Sequence, residues 1–257
     1  MIGNRVVVTG LGAVTPVGLD VGSTWQAICA GQSGAALIDT FDAEAFTTRF
    51  SCSVKGFSAE GYFPAKDAKR MDPFIQFGMV AGIQALRDSG FEITDDNCDR
   101  VGCAIGSGIG GIGSIEYNNE LIARSGPRRI SPFFVPGAII NMISGNLSVM
   151  YNMQGPNLAV VTACTSGTHN IGLGARLIAS GEVDAMLVGG PRWQRHPWVS
   201  VALLRQGHCL HVTKTLQGLP DPGTRTETDL CLAMEQPCCC LNPWTAPVVA
   251  GRRFTPS

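Results

Sequence analysis

The chain has few charged residues, few aromatic residues and no long apolar run. Charged residues make up 15% of its 257 positions, aromatic residues make up 7%, and the formal net charge is −1. This balance gives no electrostatic reason to bind nucleic acid or an anionic membrane surface. Because no run of about 18 or more apolar residues occurs, we expect no segment that crosses a bilayer.

Signals for export, for metal binding and for internal repeats are also absent from the sequence. The N-terminus, MIGNRVVVTGLG, enters a predicted strand directly, without the three sections of a signal peptide. A cytoplasmic location is therefore expected, and the ten cysteines are expected to be reduced thiols. Cys231 and the adjacent Cys238 to Cys240 lack the paired CxxC spacing of zinc sites, so we predict no metal site.

Apolar runs that alternate with amphipathic stretches predict an α/β protein. The predicted strands are Arg5–Gly10, Arg100–Gly106 and Ala185–Gly190. The predicted helices are Ser23–Gly31, Lys66–Ser89, Ser114–Ala123 and Ile139–Met150. Their order predicts a sheet with helices on its faces.

The stretch from Gly155 to Gly181, GPNLAVVTACTSGTHNIGLGARLIASG, has the clearest pattern in the chain. Leu158–Val161 is an apolar, β-favouring run, which predicts a buried strand. Small residues follow and permit a tight turn that contains Cys164. A helix is predicted next, because apolar residues then recur at helical spacing. Those residues are Ile171, Ala175, Ile178 and Ala179.

Cys164 is thus expected where a strand gives way to the N-terminus of a helix. Unpaired backbone N–H groups and the positive end of the helix dipole favour a thiolate there. A thiolate is the better nucleophile at neutral pH. The alternative is a buried structural cysteine, since free cysteine is among the most buried residue types.

Eight residues around Cys164 occur at the spacing of the active-site signature of β-ketoacyl synthases. They are Gly155, Val160, Ala163, Cys164, Thr165, Ser166, Gly167 and Ile171. The chain resembles this family of condensing enzymes over residues 1–190, and most closely its type II branch of fatty-acid synthesis. The resemblance implies an α/β, thiolase-like fold of five αβαβα layers, of which residues 1–190 form largely the first half.

The resemblance implies an acyltransferase in which Cys164 accepts an acyl group from acyl carrier protein. Decarboxylative Claisen condensation with malonyl carrier protein then follows, with two histidines and a lysine of the family's second half. Motifs of that half, such as HGT and NSFGFGG, do not occur here. We therefore expect this chain to be inactive in turnover. His169 belongs to the family pattern without being its base.

The resemblance also implies a homodimer and no metal or dissociable cofactor, since the carrier's phosphopantetheine arm delivers both substrates. Two other interpretations stay open. The chain is either a polyketide-type ketosynthase component or a non-catalytic, truncated product that at most binds a partner.

The loop Gly106–Gly111, GSGIGG, fits the GxGxxG dinucleotide fingerprint after a strand. No acidic residue is convincingly placed about 20 residues further on, where a nucleotide site requires one. By resemblance, the loop instead lies beside the acyl pocket, with Ile109 at its floor. By the same resemblance, Phe134 reaches toward the acyl tunnel of a partner subunit.

Lys66, Lys69 and Arg70 form a basic cluster near the start of the predicted helix Lys66–Ser89. A solvated helix end is the ordinary explanation of such a cluster. The helix dipole opposes positive charge in a first turn, however, so this placement has a cost. By resemblance the cluster receives the acidic carrier protein, which it attracts electrostatically.

Residues 191–257 differ from the rest in composition. They hold three of the four tryptophans, eight of the fifteen prolines and five of the ten cysteines. After Gly189 and Gly190 the family continues with AE and then TPL, whereas this chain continues PRWQRHPW. Three segments of this tail can be encoded by bases that, read one position earlier, encode peptides resembling the continuation of the synthase sequence. We predict that residues 191–257 are a frameshifted tail without a domain of its own.

Overall fold

A computed structural model describes residues 4–46 and 49–191, and the backbone of residues 248–252. The chain divides into two compact units. Of the described residues, 4–14, 57–191 and 248–252 belong to the first unit, and 15–46 and 49–56 belong to the second. Within the described residues no helix has the length and apolarity needed to cross a membrane.

The described residues contain seven strands and seven α-helices. The strands are β1 (Val6–Leu11), β2 (Ala35–Leu37), β3 (Phe50–Cys52), β4 (Val101–Ile105), β5 (Asn157–Leu158), β6 (Ala185–Gly189) and β7 (Val248–Arg252). The helices are α1 (Val21–Cys29), α2 (Ala65–Ala68), α3 (Pro73–Ser89), α4 (Ile112–Ser125), α5 (Phe134–Ala138), α6 (Met142–Tyr151) and α7 (Ser166–Ser180).

The first unit is built on a five-stranded sheet with the order β1-β7-β6-β4-β5. Strand β4 is parallel to both β5 and β6, so the carboxyl ends of these three strands meet at one edge of the sheet. Strand β7 is antiparallel to both of its neighbours, β1 and β6. The tail predicted to have no domain of its own thus supplies one internal strand of this sheet.

Helices cover both faces of the sheet, as predicted. Leu187 of β6 lies against Gly82 of α3 on one face. Its neighbours Met186 and Val188 pack with Ile178 of α7 in a fully buried cluster. Because successive strand residues point to opposite faces, α3 and α7 lie on opposite sides of β6.

The predicted helix Lys66–Ser89 is wrong in its first third, where the structure has the short α2 and a separate α3. Asp72 caps α3 by accepting a hydrogen bond from the Phe74 N–H, and Pro73 occupies the first helical position. Proline is preorganised for a helix start and lacks the N–H that a preceding turn requires. Lys66, Lys69 and Arg70 therefore precede the long helix and do not form its first turn.

In the second unit, α1 begins two residues before the predicted start at Ser23. Asp20 is the N-cap, whose Oδ1 accepts from the Ser23 N–H at 2.7 Å while Ser23 Oγ accepts from the Asp20 N–H at 3.3 Å. This reciprocal pair is a capping box, which satisfies two otherwise unpaired donors.

Candidate active site

Cys164 lies in a single 3-10 turn, Ala163–Thr165, that leads directly into α7. This confirms the predicted position of the cysteine at a helix N-terminus. The Cys164 side chain is exposed in the described structure, which excludes the alternative of a buried structural cysteine.

The strand before this turn is shorter and more exposed than predicted. Strand β5 has two residues, and Leu158 and Val161 are 38% and 46% exposed. Beyond it, the amide side chain of Asn170 replaces a neighbouring strand. Its Oδ1 accepts from the Val160 N–H at 2.9 Å, and its Nδ2 donates to the Val160 carbonyl at 3.0 Å. The predicted buried strand Leu158–Val161 is therefore wrong, because a side chain takes over its hydrogen bonds.

Helix α7 buries a narrow stripe of small and polar residues toward the sheet. The buried positions recur every four residues and are Ser166, Asn170, Gly174 and Ile178. A Cβ atom at Gly174 would clash with Val188 of β6, so the helix lies closer to the strand than any larger residue permits. Of the predicted apolar stripe, Ile178 is buried, whereas Ile171 is 37% exposed.

Local hydrogen bonds fix the turn that carries Cys164. Thr165 Oγ1 donates to the Thr162 carbonyl at 2.8 Å. Ser166 Oγ accepts from the Thr162 N–H at 3.0 Å and donates to the Ala163 carbonyl at 2.8 Å. Ala163 has a φ of +52°, in the left-handed region that L-residues avoid at a cost of roughly 1–2 kcal/mol. These bonds hold a backbone conformation that alanine does not prefer.

The glycine loop after β4 packs against the Cys164 turn. A Cβ atom at Gly106 would clash with the Val160 carbonyl, and one at Gly108 would lie 2.9 Å from the Ala163 carbonyl. The space beside both glycines is thus filled by this chain's own backbone. A dinucleotide loop needs that space for a pyrophosphate, so the geometry argues against the nucleotide interpretation. Ile109, the next residue of the loop, is 43% exposed.

Helix α5 connects the same loop to the start of α3. The Gly111 N–H donates to the Ala138 carbonyl at 2.9 Å, and the Asp72 N–H donates to the Gly137 carbonyl at 3.0 Å. Phe134, the first residue of α5, is half-buried. The structure therefore places the elements that carry Ile109 and Phe134 in direct contact.

The three basic residues lie in and after α2. Lys66 and Lys69 are exposed, and Arg70 is half-buried. The Arg70 guanidinium lies 3.9 Å from the centre of the Phe133 ring and 3.9 Å from Asp67 Oδ1. The cluster thus presents two exposed ammonium groups beside one guanidinium whose direction is fixed by a cation–π contact.

A cavity of about 390 Å³ opens beside Arg70 and lies between α3, α5 and α6. Its lining is rich in methionine. The lining residues are Phe63, Asp67, Arg70, Met71, Met79, Phe133, Pro136, Met142, Asn146, Val149 and Met150. Neither the predicted acyl-pocket residues nor Cys164 line it, so it is a different space from the predicted pocket.

Two buried polar residues that the sequence analysis missed assemble this site. Ser144, fully buried, accepts from the Ile105 N–H at 2.9 Å and lies 2.9 Å from the Leu158 carbonyl, which joins the ends of β4 and β5. Asp72, 5% exposed, accepts from Ser114 Oγ at 2.7 Å and so connects α3 to α4. The sequence Asp72-Pro73 is typical of a helix N-terminus, so the capping role of Asp72 could have been predicted.

The other described thiols differ from Cys164 in their surroundings. Cys98 and Cys103 are buried, Cys52 is partly buried, and Cys29 is exposed. Burial raises the pKa of Cys103 to about 12, and its hydrogen bond with Ser144 acts in the opposite direction. Burial also raises the pKa of Cys52, although a nearby lysine lowers it in part. Cys103 therefore stays a protonated core thiol at neutral pH.

Comparison with known proteins identifies the family. A model of the family described as "Beta-ketoacyl synthase, N-terminal domain" matches residues 3–216. The chain belongs to the β-ketoacyl synthase family. The match extends past Gly190, where the sequence analysis ended the resemblance.

A relative and two solved structures agree with that family. The chain is 56% identical over 186 residues to 3-oxoacyl-[acyl-carrier-protein] synthase 2 of Vibrio cholerae serotype O1; this covers 72% of the chain and 45% of the relative. A beta-ketoacyl synthase from Burkholderia phymatum has a TM-score of 0.77 at 23% identity, covering 97% of this chain and 59% of that one. A solved complex of a type II PKS acyl-carrier protein with its ketosynthase, bound to the hexaketide, has a TM-score of 0.70 at 22% identity. The match covers 97% of this chain and 63% of that one.

These likenesses confirm the predicted ketosynthase, thiolase-like α/β fold. The β-ketoacyl synthase chain spans about half the length of the curated relatives it matches.

Proposed function

We propose that this chain carries the acyl-accepting site of a β-ketoacyl-[acyl-carrier-protein] synthase of fatty-acid synthesis, with Cys164 as the nucleophile. The observation that carries the proposal is the exposed Cys164 thiol at the N-terminus of α7, within a chain 56% identical to a 3-oxoacyl-[acyl-carrier-protein] synthase 2. Helix N-termini favour the thiolate that attacks a thioester.

The proposed reaction consists of two acyl transfers, first to Cys164 and then to the malonyl-derived carbon. The Cys164 thiolate attacks the acyl thioester, a new carbon–sulfur bond forms, and the carrier's phosphopantetheine thiol leaves and takes a proton. In the family's second step, malonyl carrier protein loses carbon dioxide and the resulting enolate carbon displaces Cys164 from the acyl group. The Cys164 backbone N–H helps to stabilise the thioester oxyanion. No metal or dissociable cofactor takes part in either transfer.

The proposed partner is an acyl carrier protein that docks on Lys66, Lys69 and Arg70. Support comes from the two exposed ammonium groups, from the oriented Arg70 guanidinium, and from the solved complex of a related ketosynthase with its carrier protein. Opposite charges accelerate encounter more than they tighten binding. Replacing Lys66 and Lys69 with glutamate should lower the rate of acyl transfer from the carrier and leave Cys164 alkylation by iodoacetamide unchanged.

The acyl chain is proposed to lie near Ile109, and Phe134 is proposed to reach toward the acyl tunnel of a second copy. Contact between the glycine loop and the Cys164 turn supports the placement of Ile109. A larger side chain at Ile109 should shorten the acyl groups that Cys164 accepts. Mass spectrometry of the acylated chain, over a series of carrier-bound acyl lengths, measures that preference.

A homodimer and a cytoplasmic location complete the proposal. Strand β5 stands at the end of the described sheet with Leu158 38% exposed, which leaves an apolar edge for a second copy. Sedimentation velocity should show a dimer, and a monomer at micromolar concentration contradicts this part.

We further propose a frameshift after Gly190, which sequencing of the gene across that codon tests directly.

Two assays test the proposed function. Iodoacetamide or cerulenin should label Cys164 in the wild-type chain, and Cys164→Ala should lose that label. Condensation of acyl and malonyl carrier proteins then measures turnover, which we expect to be absent because the family's HGT and NSFGFGG motifs are not in this sequence. Turnover with a polyketide-type starter would favour the polyketide alternative, and an unlabelled Cys164 would contradict the proposal.

A further inference from the structure

His169 lies one turn inside α7, yet it bonds back to the segment that carries Cys164. Its Nδ1 lies 2.6 Å from Thr162 Oγ1, a contact between residues seven positions apart. The same hydroxyl accepts a bond from Thr165 Oγ1 at 3.2 Å. His169 thus bonds the residue directly before the turn that contains Cys164, and the last residue of that turn bonds the same hydroxyl.

The turn requires such support because its backbone is strained. Ala163 has a φ of +52°, where a residue with a Cβ atom is disfavoured. The bonds made by Thr165 and Ser166 join residues no more than four positions apart, and they reach only the first residue of α7. His169 lies one turn further into α7, next to the buried Asn170, whose amide accepts from the Val160 N–H and donates to the Val160 carbonyl.

We infer that His169 is a positioning residue for the proposed nucleophile. Through Thr162 it anchors the strained turn to α7 and keeps the Cys164 thiol at the helix N-terminus. The inference rests on the proposed function for the use of that thiol, whereas the anchoring itself is a property of the turn. It requires no proton transfer by His169.

Alkylation of the full 257-residue chain tests the inference. The rate constant for iodoacetamide at each cysteine is measured by peptide mass spectrometry for the wild type, His169→Ala and His169→Asn. His169→Ala should lower the rate at Cys164 about fivefold, the effect of losing one hydrogen bond. His169→Asn should restore most of it, because an asparagine side chain places a polar atom near the position of Nδ1.

The chain supplies its own controls. Arg176→Ala, at an exposed position two turns further along α7, should leave the Cys164 rate unchanged. Cys29 is exposed in another unit and should react equally in every variant, while the buried Cys103 should stay unlabelled. In Thr162→Val, adding His169→Ala should cause no further loss, since the partner hydroxyl is already gone.

Three outcomes would overturn the inference: an unchanged Cys164 rate in His169→Ala, no restoration by His169→Asn, or labelling of Cys103, which would mean that the fold had opened. Each is distinguishable from failure of the proposed function. If the wild-type Cys164 accepts no acyl group from a carrier protein, the proposed function is refuted. The alkylation rates still measure whether His169 positions Cys164.

Discussion

Replacing Gly106 with alanine should displace the turn that carries Cys164. An added Cβ atom would clash with the Val160 carbonyl and lie 2.8 Å from Asn170 Nδ2, closer than the 3.0 Å that real Cβ contacts respect. Val160 is held by both of its backbone groups to Asn170. The added methyl group therefore pushes on two anchors of the segment before Cys164.

The expected cost is that of overpacking a buried contact, about 1–3 kcal/mol. Because the nearest atom belongs to the backbone, relief requires the strand end or the loop to move. At about 2–4 °C of Tm per kcal/mol for a chain of this size, Tm should fall by several degrees. The rate of Cys164 alkylation should fall as well.

Gly172→Ala is the matched control, because a Cβ atom there has open space around it within 4 Å. Alanine in the interior of α7 should stabilise the chain by up to about 1 kcal/mol. Urea denaturation followed by circular dichroism measures both variants. Equal stability and equal Cys164 reactivity in Gly106→Ala and Gly172→Ala would refute the proposed packing of the glycine loop.

Three further predictions follow from the described residues. Ser144→Ala should lower the free energy of unfolding by about 1–3 kcal/mol, since it leaves the buried Ile105 N–H without its partner; Ser144→Thr tests whether the hydroxyl alone restores it. For Cys103, the raised pKa means that only the unfolded chain loses the thiol proton between pH about 9 and about 12. The free energy of unfolding should then fall by about 1.4 kcal/mol per pH unit in that window, and the Cys103→Ala variant should lose this component of the slope. Removing residues 248–257 should lower the urea midpoint, because β1 and β6 lose the strand that pairs with both; an unchanged midpoint would mean that β7 contributes nothing to the sheet.

The elements that hold Cys164 were largely predictable from sequence. Strand β4, helix α7 and the turn between β5 and α7 follow from apolar runs, helical spacing and small residues. The helix stripe was predicted from Ile171, Ala175, Ile178 and Ala179; of these Ile178 is buried, and the rest of the buried face is formed by Ser166, Asn170 and Gly174. Hydrophobic periodicity identifies helix faces that bury large apolar side chains. This face instead carries small and polar residues, which allow the helix backbone to lie close to β6.

The polar anchors of the site were not predictable in the same way. Asn170 and Ser144 bond backbone groups 10 to 39 positions away, and Asp72 bonds the hydroxyl of Ser114, 42 positions away; such partners are known only after folding. Strand β7 was missed for a related reason. Its pairing with β1 joins residues far apart in sequence, and a five-residue run in an unusual tail carries little local signal.

Transfer of an acyl group from a carrier protein to Cys164 tests the central claim most directly. The full chain is incubated with an acyl carrier protein that bears a saturated acyl chain, and the peptide that contains Cys164 is weighed after digestion. We predict that this peptide gains the mass of one acyl group, and that the peptide with the exposed Cys29 does not. An unmodified Cys164 peptide, or equal acylation of Cys29, would contradict the assignment of Cys164 as the acyl acceptor.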